Sequence, residues 1–182
     1  MQLAERAARS VERLHRLTTD LLDASRVEQG LLQIRRQPVD LAQLVRDTTD
    51  GLRTPQVSMA VEVPDELIAN VDPNRIEQAL ENLLNNARTH APGSAVVVTL
   101  RREERNDGAW AVIRVQDGGP GIAPAIVDTL MTRFVRGQQS KGLGLGLYLT
   151  HSIAEAHGGA LTVKSTLGQG TTFQLAVPLV SS

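Results

Sequence analysis

The sequence lacks cysteine, which excludes disulfide bonds and thiolate metal ligands. Aromatic residues are only 2% of the chain, so aliphatic side chains must fill its core. The 19 basic and 20 acidic residues nearly balance, which removes the electrostatic basis for general binding to nucleic acid or an anionic membrane. No apolar run is long enough to span a bilayer. We therefore expect a cytoplasmic protein, or the cytosolic part of a membrane-bound one, that binds a specific ligand and no nucleic acid.

The 182 residues, 41% of them hydrophobic, fit one domain with an appendage. From residue 2 to about residue 32, apolar residues recur at three- and four-residue steps, which predicts one amphipathic helix. Its apolar stripe has nearly heptad spacing, so we expect residues 3–25 to pack against another helix, in this chain or in a partner. The positions of this stripe are Leu3, Ala7, Val11, Leu14, Leu17, Leu21, Leu22 and Ser25.

The rest of the chain mixes helical and strand patterns, which predicts an α/β sandwich with a mixed sheet of about five strands and helices on one face. Asp40 and the pair Asp72-Pro73 are typical helix starts. The predicted helices are 40–52, 73–90, 124–133 and 143–157, and the predicted strands are 57–63, 95–102, 109–116, 160–165 and 170–179.

The helix at 73–90 carries asparagines where helices seldom favour them, at a cost of about half a kcal/mol each against alanine. Asn82 and Asn86 lie one turn apart beside the apolar stripe. Amide oxygens suit a hydrated magnesium ion that bridges phosphates. Taken alone, this helix favours the interpretation that the two amides are solvated or pack against another helix. Two glycine-rich segments further along the chain shift the preference to a magnesium site.

The first glycine-rich segment, residues 117–122 (DGGPGI), directly follows a predicted strand. Asp117 at the strand end can accept a hydrogen bond from an exocyclic amine such as that of adenine. Gly119 and Gly121 would let the backbone approach the ring closely. An ordinary surface turn is the alternative interpretation of this segment taken alone.

The second glycine-rich segment, residues 142–147 (GLGLGL), leads into a predicted helix. Backbone N–H groups at a helix N-terminus attract phosphate through hydrogen bonds and the helix dipole. A flexible hinge is the alternative. Arg136 and Lys141 precede the segment as candidate partners for the β- and γ-phosphates, or as solvated charges.

Taken together and in this order, these segments resemble the ATP-binding catalytic domain of sensor histidine kinases. The resemblance covers nearly the whole chain. It is carried by residues 82–87 (NLLNNA), 117–122 (DGGPGI), 134–137 (FVRG), 142–147 (GLGLGL) and 168–173 (GQGTTF).

The resemblance implies a Bergerat-type sandwich with an ATP lid at residues 122–146, and ATP and Mg²⁺ as ligands. Asn86 would coordinate magnesium with support from Asn82, Asp117 would bind the adenine amine, and His90 and Thr171 would line the adenine pocket. The implied catalytic residues are Asn86, Lys141 and Arg136. The implied nucleotide-binding residues are Asn82, Asn86, His90, Asp117, Gly119, Gly121, Ile122, Phe134, Lys141, Gly142, Leu143, Gly144, Leu145, Gly146, Leu147 and Thr171.

The sequence departs from the family pattern at several positions. Gly118 replaces the usual Asn, Met131 and Thr132 replace Phe and Glu, and Thr89 stands where a basic residue is common. We expect these changes to alter lid and phosphate contacts while nucleotide binding is retained.

Residues 14–30 resemble the second helix of the family's dimerisation and phosphotransfer hairpin. His15 is followed by Arg-Leu-Thr-Thr, which does not match the family's phosphoacceptor pattern, so it is not assigned that role. The expected division is a partial hairpin helix at 1–32, a linker with a short helix at 33–56 and the ATP-binding domain at 57–182.

The leading functional hypothesis is a protein histidine kinase module. It would bind Mg-ATP and transfer the γ-phosphoryl group to a histidine supplied in trans, with a response regulator downstream, and would not autophosphorylate alone. A nucleotide-regulated interaction module without transfer activity is the alternative. An ATPase of the wider superfamily is a third interpretation, which the segment at Phe134 and the N-terminal helix disfavour.

Overall fold

Helices and strands are interleaved throughout the part of the chain that the computed structural model describes, residues 2–53, 57–127, 129–132 and 143–179. The helices are α1 (Gln2–Glu28), α2 (Leu41–Leu52), α3 (Pro73–His90), α4 (Pro124–Val127) and α5 (Gly146–Ala156). The strands are β1 (Gln37–Asp40), β2 (Met59–Glu62), β3 (Ile68–Val71), β4 (Val96–Arg105), β5 (Gly108–Asp117), β6 (Ala160–Thr166) and β7 (Gly170–Pro178).

The main sheet has five strands in the order β2-β4-β5-β7-β6. β2 and β4 are parallel and the other neighbours are antiparallel, so the predicted mixed sheet is confirmed. Alternate residues of the central strands, such as Val98, Ile113 and Leu175, are buried together with the apolar stripes of α2, α3 and α5. The predicted α/β sandwich, with helices on one face, is confirmed.

Both predicted helix starts are confirmed by capping hydrogen bonds. The Asp72 carboxylate accepts from the N–H groups of Asn74 and Arg75 at the start of α3, and Pro73 occupies the first turn. Asp40 accepts from the N–H of Ala42 at the start of α2. These caps satisfy N–H groups that a helix leaves unpaired.

The strand β1 was not predicted. It pairs antiparallel with β3, which places α2 against α3. Leu41, Ala42 and Val45 are fully buried in the main core. Much of the segment predicted as a linker, residues 33–56, therefore packs within the sandwich, and the division of the chain into three domains stays a prediction.

The helix α1 is shorter than predicted, and its last turns lie against the sandwich. Asp23, whose side chain is 4% exposed, receives two hydrogen bonds from the Arg75 guanidinium at 2.6 and 3.2 Å and one from Gln78 at 3.0 Å. Beside it, Ala24 packs in a small second core with Leu145 and Leu149 of the α5 region. Among the described residues, no helix combines the length and apolar character that crossing a membrane requires.

The contact between Asp23 and Arg75 should fix the position of α1. Burial alone would raise the pKa of Asp23, but hydrogen bonds from Arg75 and Gln78 outweigh it and the pKa is lowered. We expect Asp23→Asn to cost about 1–2 kcal/mol, because a charge-assisted pair becomes a neutral hydrogen bond beside a half-buried guanidinium. Hydrogen exchange should report faster amide exchange in residues 17–28.

The matched control is Asp65→Asn, the same substitution at an exposed position between β2 and β3, away from α1. The folded-state pKa of Asp23 lies below its unfolded value of 3.8, so its stabilising effect is present above that pH and is lost as pH falls through the folded value. Unchanged exchange in residues 17–28 of Asp23→Asn would contradict this anchoring role.

His157 joins the end of α5 to the start of α3. Its ring is 2% exposed, and its Nε2 accepts a 3.0 Å hydrogen bond from the backbone N–H of Asp72. Because that nitrogen is the acceptor, Nδ1 carries the hydrogen and donates to the carbonyl of Ile153 at 2.8 Å. Burial lowers the pKa of His157, so the folded protein holds it as neutral imidazole.

We expect the protein to lose stability in mild acid. His157 has a folded-state pKa below its ordinary 6.5, so the unfolded chain binds the proton first as pH falls below 6.5. The unfolding free energy then falls by at most about 1.4 kcal/mol per pH unit until the folded value is reached. Urea unfolding at several pH values measures this slope. In His157→Gln the unfolding free energy should depend less steeply on pH, because the contribution of His157 is removed. An unchanged pH dependence would contradict the role given to His157.

Candidate functional site

Three polar side chains form a row across neighbouring strands of the main sheet. Asp117 on β5 lies opposite Thr171 on β7, which lies opposite Ser165 on β6. All three share the phase of the buried residues on their strands, so they lie on the helix-covered face. This row, the β5-β7-β6 row, stands at the end of β5 where the first glycine-rich segment begins.

Asp117 is 7% exposed and lies at the centre of this edge. Its Oδ1 accepts from the N–H of Gly119 at 2.9 Å. Burial raises the pKa of Asp117, against the lowering effects of this bond, of the Thr171 backbone and of His90. His90, at the end of α3, has its own pKa lowered by burial and partly restored by Asp117. The structure thus places the predicted residues Asp117, His90 and Thr171 together.

The first glycine-rich segment is folded back onto the β6–β7 turn. The N–H of Ile122 donates to Ser165 Oγ at 2.8 Å, and the N–H of Gly168 donates to the carbonyl of Pro120 at 2.8 Å. A Cβ on Gly121 would lie 2.2 Å from the Thr166 carbonyl oxygen, and one on Gly119 would lie 2.5 Å from the Ala91 Cβ. Both glycines are therefore required by the protein's own packing, whether or not a ligand approaches them.

The amide-bearing helix α3 contacts the second glycine-rich segment directly. Asn82 Nδ2 donates to the carbonyl of Gly146 at 3.3 Å, and the hydroxyl of Thr150 donates to the same oxygen at 2.8 Å. Asn86, one turn further along α3, is half-buried, and its side-chain amide forms no hydrogen bond within the described ranges. Asn82 therefore holds α3 against α5, and the amide of Asn86 is available to a ligand.

The N-terminus of α5 differs from those of α2 and α3. Its N-cap position is Leu145, and no side chain of the described residues caps it. Gly144, with φ +73°, turns the backbone into the helix. The first N–H groups of this 11-residue helix are thus left for a ligand or water, which suits an anion such as phosphate.

The leucines of the second glycine-rich segment are packing residues. Leu145 is buried against Ala24 and Leu149, with Leu143 partly buried beside them. Leu147 packs against the main core. This segment therefore touches α1 on one side and offers backbone N–H groups at the start of α5.

Four predicted site residues lie outside the described residues: Phe134, Arg136, Lys141 and Gly142. The described ones fall into two groups joined by α3. The first group, at the sheet edge, is Asp117, Gly119, Gly121, Ile122, His90 and Thr171. The second group, where α3 meets α5, is Asn82, Asn86, Leu143, Gly144, Leu145, Gly146 and Leu147.

A family comparison agrees with this geometry. The model of the family described as histidine kinase-, DNA gyrase B-, and HSP90-like ATPase matches residues 71–181. The chain belongs to this family. The match begins at the end of β3 and includes both glycine-rich segments, so the ATPase region contains the whole β5-β7-β6 row.

Sensor kinases are among the relatives of this ATPase-family chain. The chain is 32% identical to the adaptive-response sensory kinase SasA of Synechococcus sp. strain JA-3-3Ab, over 98% of this chain and 49% of that protein. It is 35% identical to the probable sensor histidine kinase TcrY of Mycobacterium tuberculosis, over 96% of this chain and 37% of that protein. The chain thus spans half or less of the length of these curated relatives.

Solved structures of histidine kinases are similar to this chain in fold. Full-length ShkA in complex with AMPPNP superposes with a TM-score of 0.81 at 28% identity, covering 96% of this chain and 37% of that one. The mycobacterial sensor histidine kinase MprB superposes with a TM-score of 0.69 at 27% identity, covering 79% of this chain and 97% of that one. The fold of this ATPase-family chain is therefore that of histidine kinase catalytic domains.

The metal-binding groups of this ATPase-family chain fit a magnesium ion that is held mainly by nucleotide phosphates. The available Asn86 amide supplies one neutral oxygen ligand, and the described residues contain no cluster of three His, Asp or Glu side chains that could hold a metal alone. Such a site is typical of Mg²⁺ that keeps its waters and bridges nucleotide phosphates. Asn86 is the described residue that would hold the ion.

Sequence reasoning missed Ser165. A signal was present, since Ser165 continues the buried phase of Leu161 and Val163 on β6. A polar residue at an apolar-phase position near a glycine turn indicates a hydrogen-bonding role. Asp23 was also missed as a contact of Arg75, because the two residues are far apart in sequence and share no periodic pattern.

Proposed function

We propose that this chain is the ATP-binding catalytic part of a sensor histidine kinase. It binds Mg-ATP and transfers the γ-phosphoryl group to a histidine in trans, in two-component signal transduction. The observation that carries the proposal is the contact from Asn82 to Gly146. It joins a helix that carries an available amide, Asn86, to an uncapped helix N-terminus suited to phosphate.

Each part of the nucleotide has a counterpart in the site. Asp117, an acceptor at the end of β5, binds the adenine amine, with Thr171 and His90 beside it. The N–H groups that open α5 bind phosphate. Lys141 and Arg136 contact the terminal phosphates, and Asn86 holds magnesium, which neutralises phosphate charge when bound. The chain contributes positioning and charge stabilisation, which phosphoryl transfer chiefly requires.

The histidines of this chain are poorly suited to accept the γ-phosphoryl group. His157 is buried with both ring nitrogens hydrogen-bonded. His151 lies 3.3 Å from Glu155 on α5, and His90 is half-buried beside Asp117. His15 is exposed on α1 but lacks the family's acceptor pattern. An acceptor segment in trans is therefore part of the proposal, and so is a response regulator downstream.

Two measurements on the 182-residue chain test the proposal. Calorimetric titration with AMPPNP should show binding that is tighter with magnesium. Asn86→Ala should lose the magnesium dependence, whereas Asn70→Ala, on the exposed face of β3, should keep it. Incubation with γ-labelled ATP and a purified acceptor hairpin from a sensor kinase should label the hairpin. Absence of AMPPNP binding in the folded chain would refute the proposal.

The alternative is a nucleotide-regulated interaction module without transfer. The packing of Ala24 against Leu145 favours it, because a ligand at the start of α5 would act on the same segment that α1 contacts. AMPPNP binding without labelling of any acceptor hairpin would support this alternative.

A second copy of the chain is the proposed partner of α1. Its Val11, Leu14, Leu21 and Leu22 are 46–64% exposed, which is unusual for so many large apolar side chains on one helix. Pairing of two such helices would cover them. Sedimentation equilibrium measures the association, and a monomer at all concentrations would contradict it. We place the whole assembly in the cytoplasm, where ATP and response regulators are found.

A further inference from the structure

Ser165 contacts three groups at the edge of the proposed adenine site. The N–H of Ile122 lies 2.8 Å from its Oγ, the carbonyl oxygen of Gly170 lies 2.9 Å away, and Thr171 Oγ1 also lies 2.9 Å away. Ser165 therefore joins the first glycine-rich segment to β7. The β5-β7-β6 row continues from it through Thr171 to Asp117.

The chemistry of a hydroxyl fixes the direction of each bond. Ser165 has one hydrogen to donate and two lone pairs that accept. The Gly170 carbonyl can only accept, so it takes the hydrogen of Ser165. The Ile122 N–H can only donate, so it takes one lone pair. The second lone pair is left for Thr171, whose hydroxyl must then donate to Ser165.

Thr171 is thereby left as an acceptor. Its single hydrogen is directed to Ser165, so its Oγ1 offers lone pairs alone to any further partner. The carboxylate of Asp117, directly opposite on β5, also only accepts when ionised. The two side chains together present acceptors to a ligand at this edge.

We propose that Ser165 is a positioning residue that fixes Thr171 as a hydrogen-bond acceptor and so selects a base with an exocyclic amine over one with an oxo group. This inference rests on the proposed function, because it concerns the base of the same nucleotide. Adenine offers an amine at this position and guanine offers an oxygen. Two fixed acceptors favour the first and repel the second.

The test compares affinities for AMPPNP and GMPPNP. Ser165→Ala removes the group that fixes the direction of one neutral hydrogen bond. It should therefore reduce the ratio of AMPPNP affinity to GMPPNP affinity about 3- to 10-fold. Thr171→Val should reduce the ratio by a similar factor. In the double variant Ser165→Ala/Thr171→Val the ratio should be no lower than in either single variant, because both changes remove the same acceptor.

Two controls separate this role from a merely structural one. Ser165→Thr keeps the hydroxyl and should keep the ratio, and Thr172→Val, on the opposite face of β7, should leave it unchanged. If Ser165→Ala weakens both analogues equally, Ser165 only anchors Ile122 and the inference is overturned.

If circular dichroism shows that Ser165→Ala does not fold, Thr171→Val serves as the test instead. An unchanged ratio of AMPPNP to GMPPNP affinity in Thr171→Val then overturns the inference. If the unmodified chain binds no AMPPNP, the proposed function fails and this inference fails with it. If the chain binds AMPPNP and neither variant changes the ratio, only this inference fails.

Discussion

Asp117→Asn is expected to weaken binding of AMPPNP about 10- to 100-fold, the effect of losing one hydrogen bond to a buried charged acceptor. Asp117 is 7% exposed, and its carboxylate already accepts from the N–H of Gly119. The amide of asparagine has one accepting oxygen, and the hydrogen bond from the N–H of Gly119 keeps that oxygen in place. Its NH₂ group then turns a donor toward the adenine amine, which is also a donor.

The measurement is calorimetric titration with magnesium present, and the control is Asp65→Asn, an exposed position between β2 and β3. The control should bind AMPPNP like the unmodified chain. Affinity for GMPPNP should fall less than affinity for AMPPNP in Asp117→Asn, because an amide donor suits the guanine oxygen. Equal AMPPNP affinity in a folded Asp117→Asn would remove Asp117 from the site.

Gly170→Ala is expected to lower the free energy of unfolding by about 3–5 kcal/mol, in the upper range for single substitutions. The residue has φ +95°, and an added Cβ would lie 2.0 Å from the carbonyl oxygen of Asp117. Backbone of β5 cannot move aside without breaking its pairing with β7. The strain falls at the end of β5, so nucleotide affinity should fall as well.

Gly168→Ala is the matched control for this change. It lies two residues earlier in the same turn with φ +76°, and an added Cβ would meet nothing within 4 Å. It should cost only about 1 kcal/mol, the cost of the left-handed conformation partly offset by a less flexible unfolded chain. Urea unfolding of both variants gives the comparison. Equal losses would mean that backbone conformation alone requires glycine at residue 170.

Local signals made most elements predictable. Asp72-Pro73 marks the start of α3 by capping chemistry, and the polar turn before Gly108 marks the hairpin of β4 and β5. Such features depend on residues close in sequence. The start of α5 was placed three residues early, because the leucines of the second glycine-rich segment continue the apolar pattern while Gly144 still turns the backbone.

Contacts between distant segments were not predictable in the same way. The strand β1 has only four residues and exists because β3, about thirty residues later, pairs with it. The hydrogen bonds from Arg75 to Asp23 join α1 to α3 and have no periodic signature. In the site, residue types indicated Asp117 and Asn86, but only the sheet register shows that Ser165 stands beside Thr171.

The anchoring of α1 makes this helix a lever arm. Asp23, Ala24 and Val27 contact the sandwich near the end of this 27-residue helix, and Gln2 is its first described residue. At about 1.5 Å per residue, the arm from Asp23 to Gln2 is about 30 Å long. A tilt of about 5° at the anchor therefore displaces the far end by about 3 Å. A rearrangement beside Leu145 that tilted α1 would therefore produce a larger displacement at the other end of the helix.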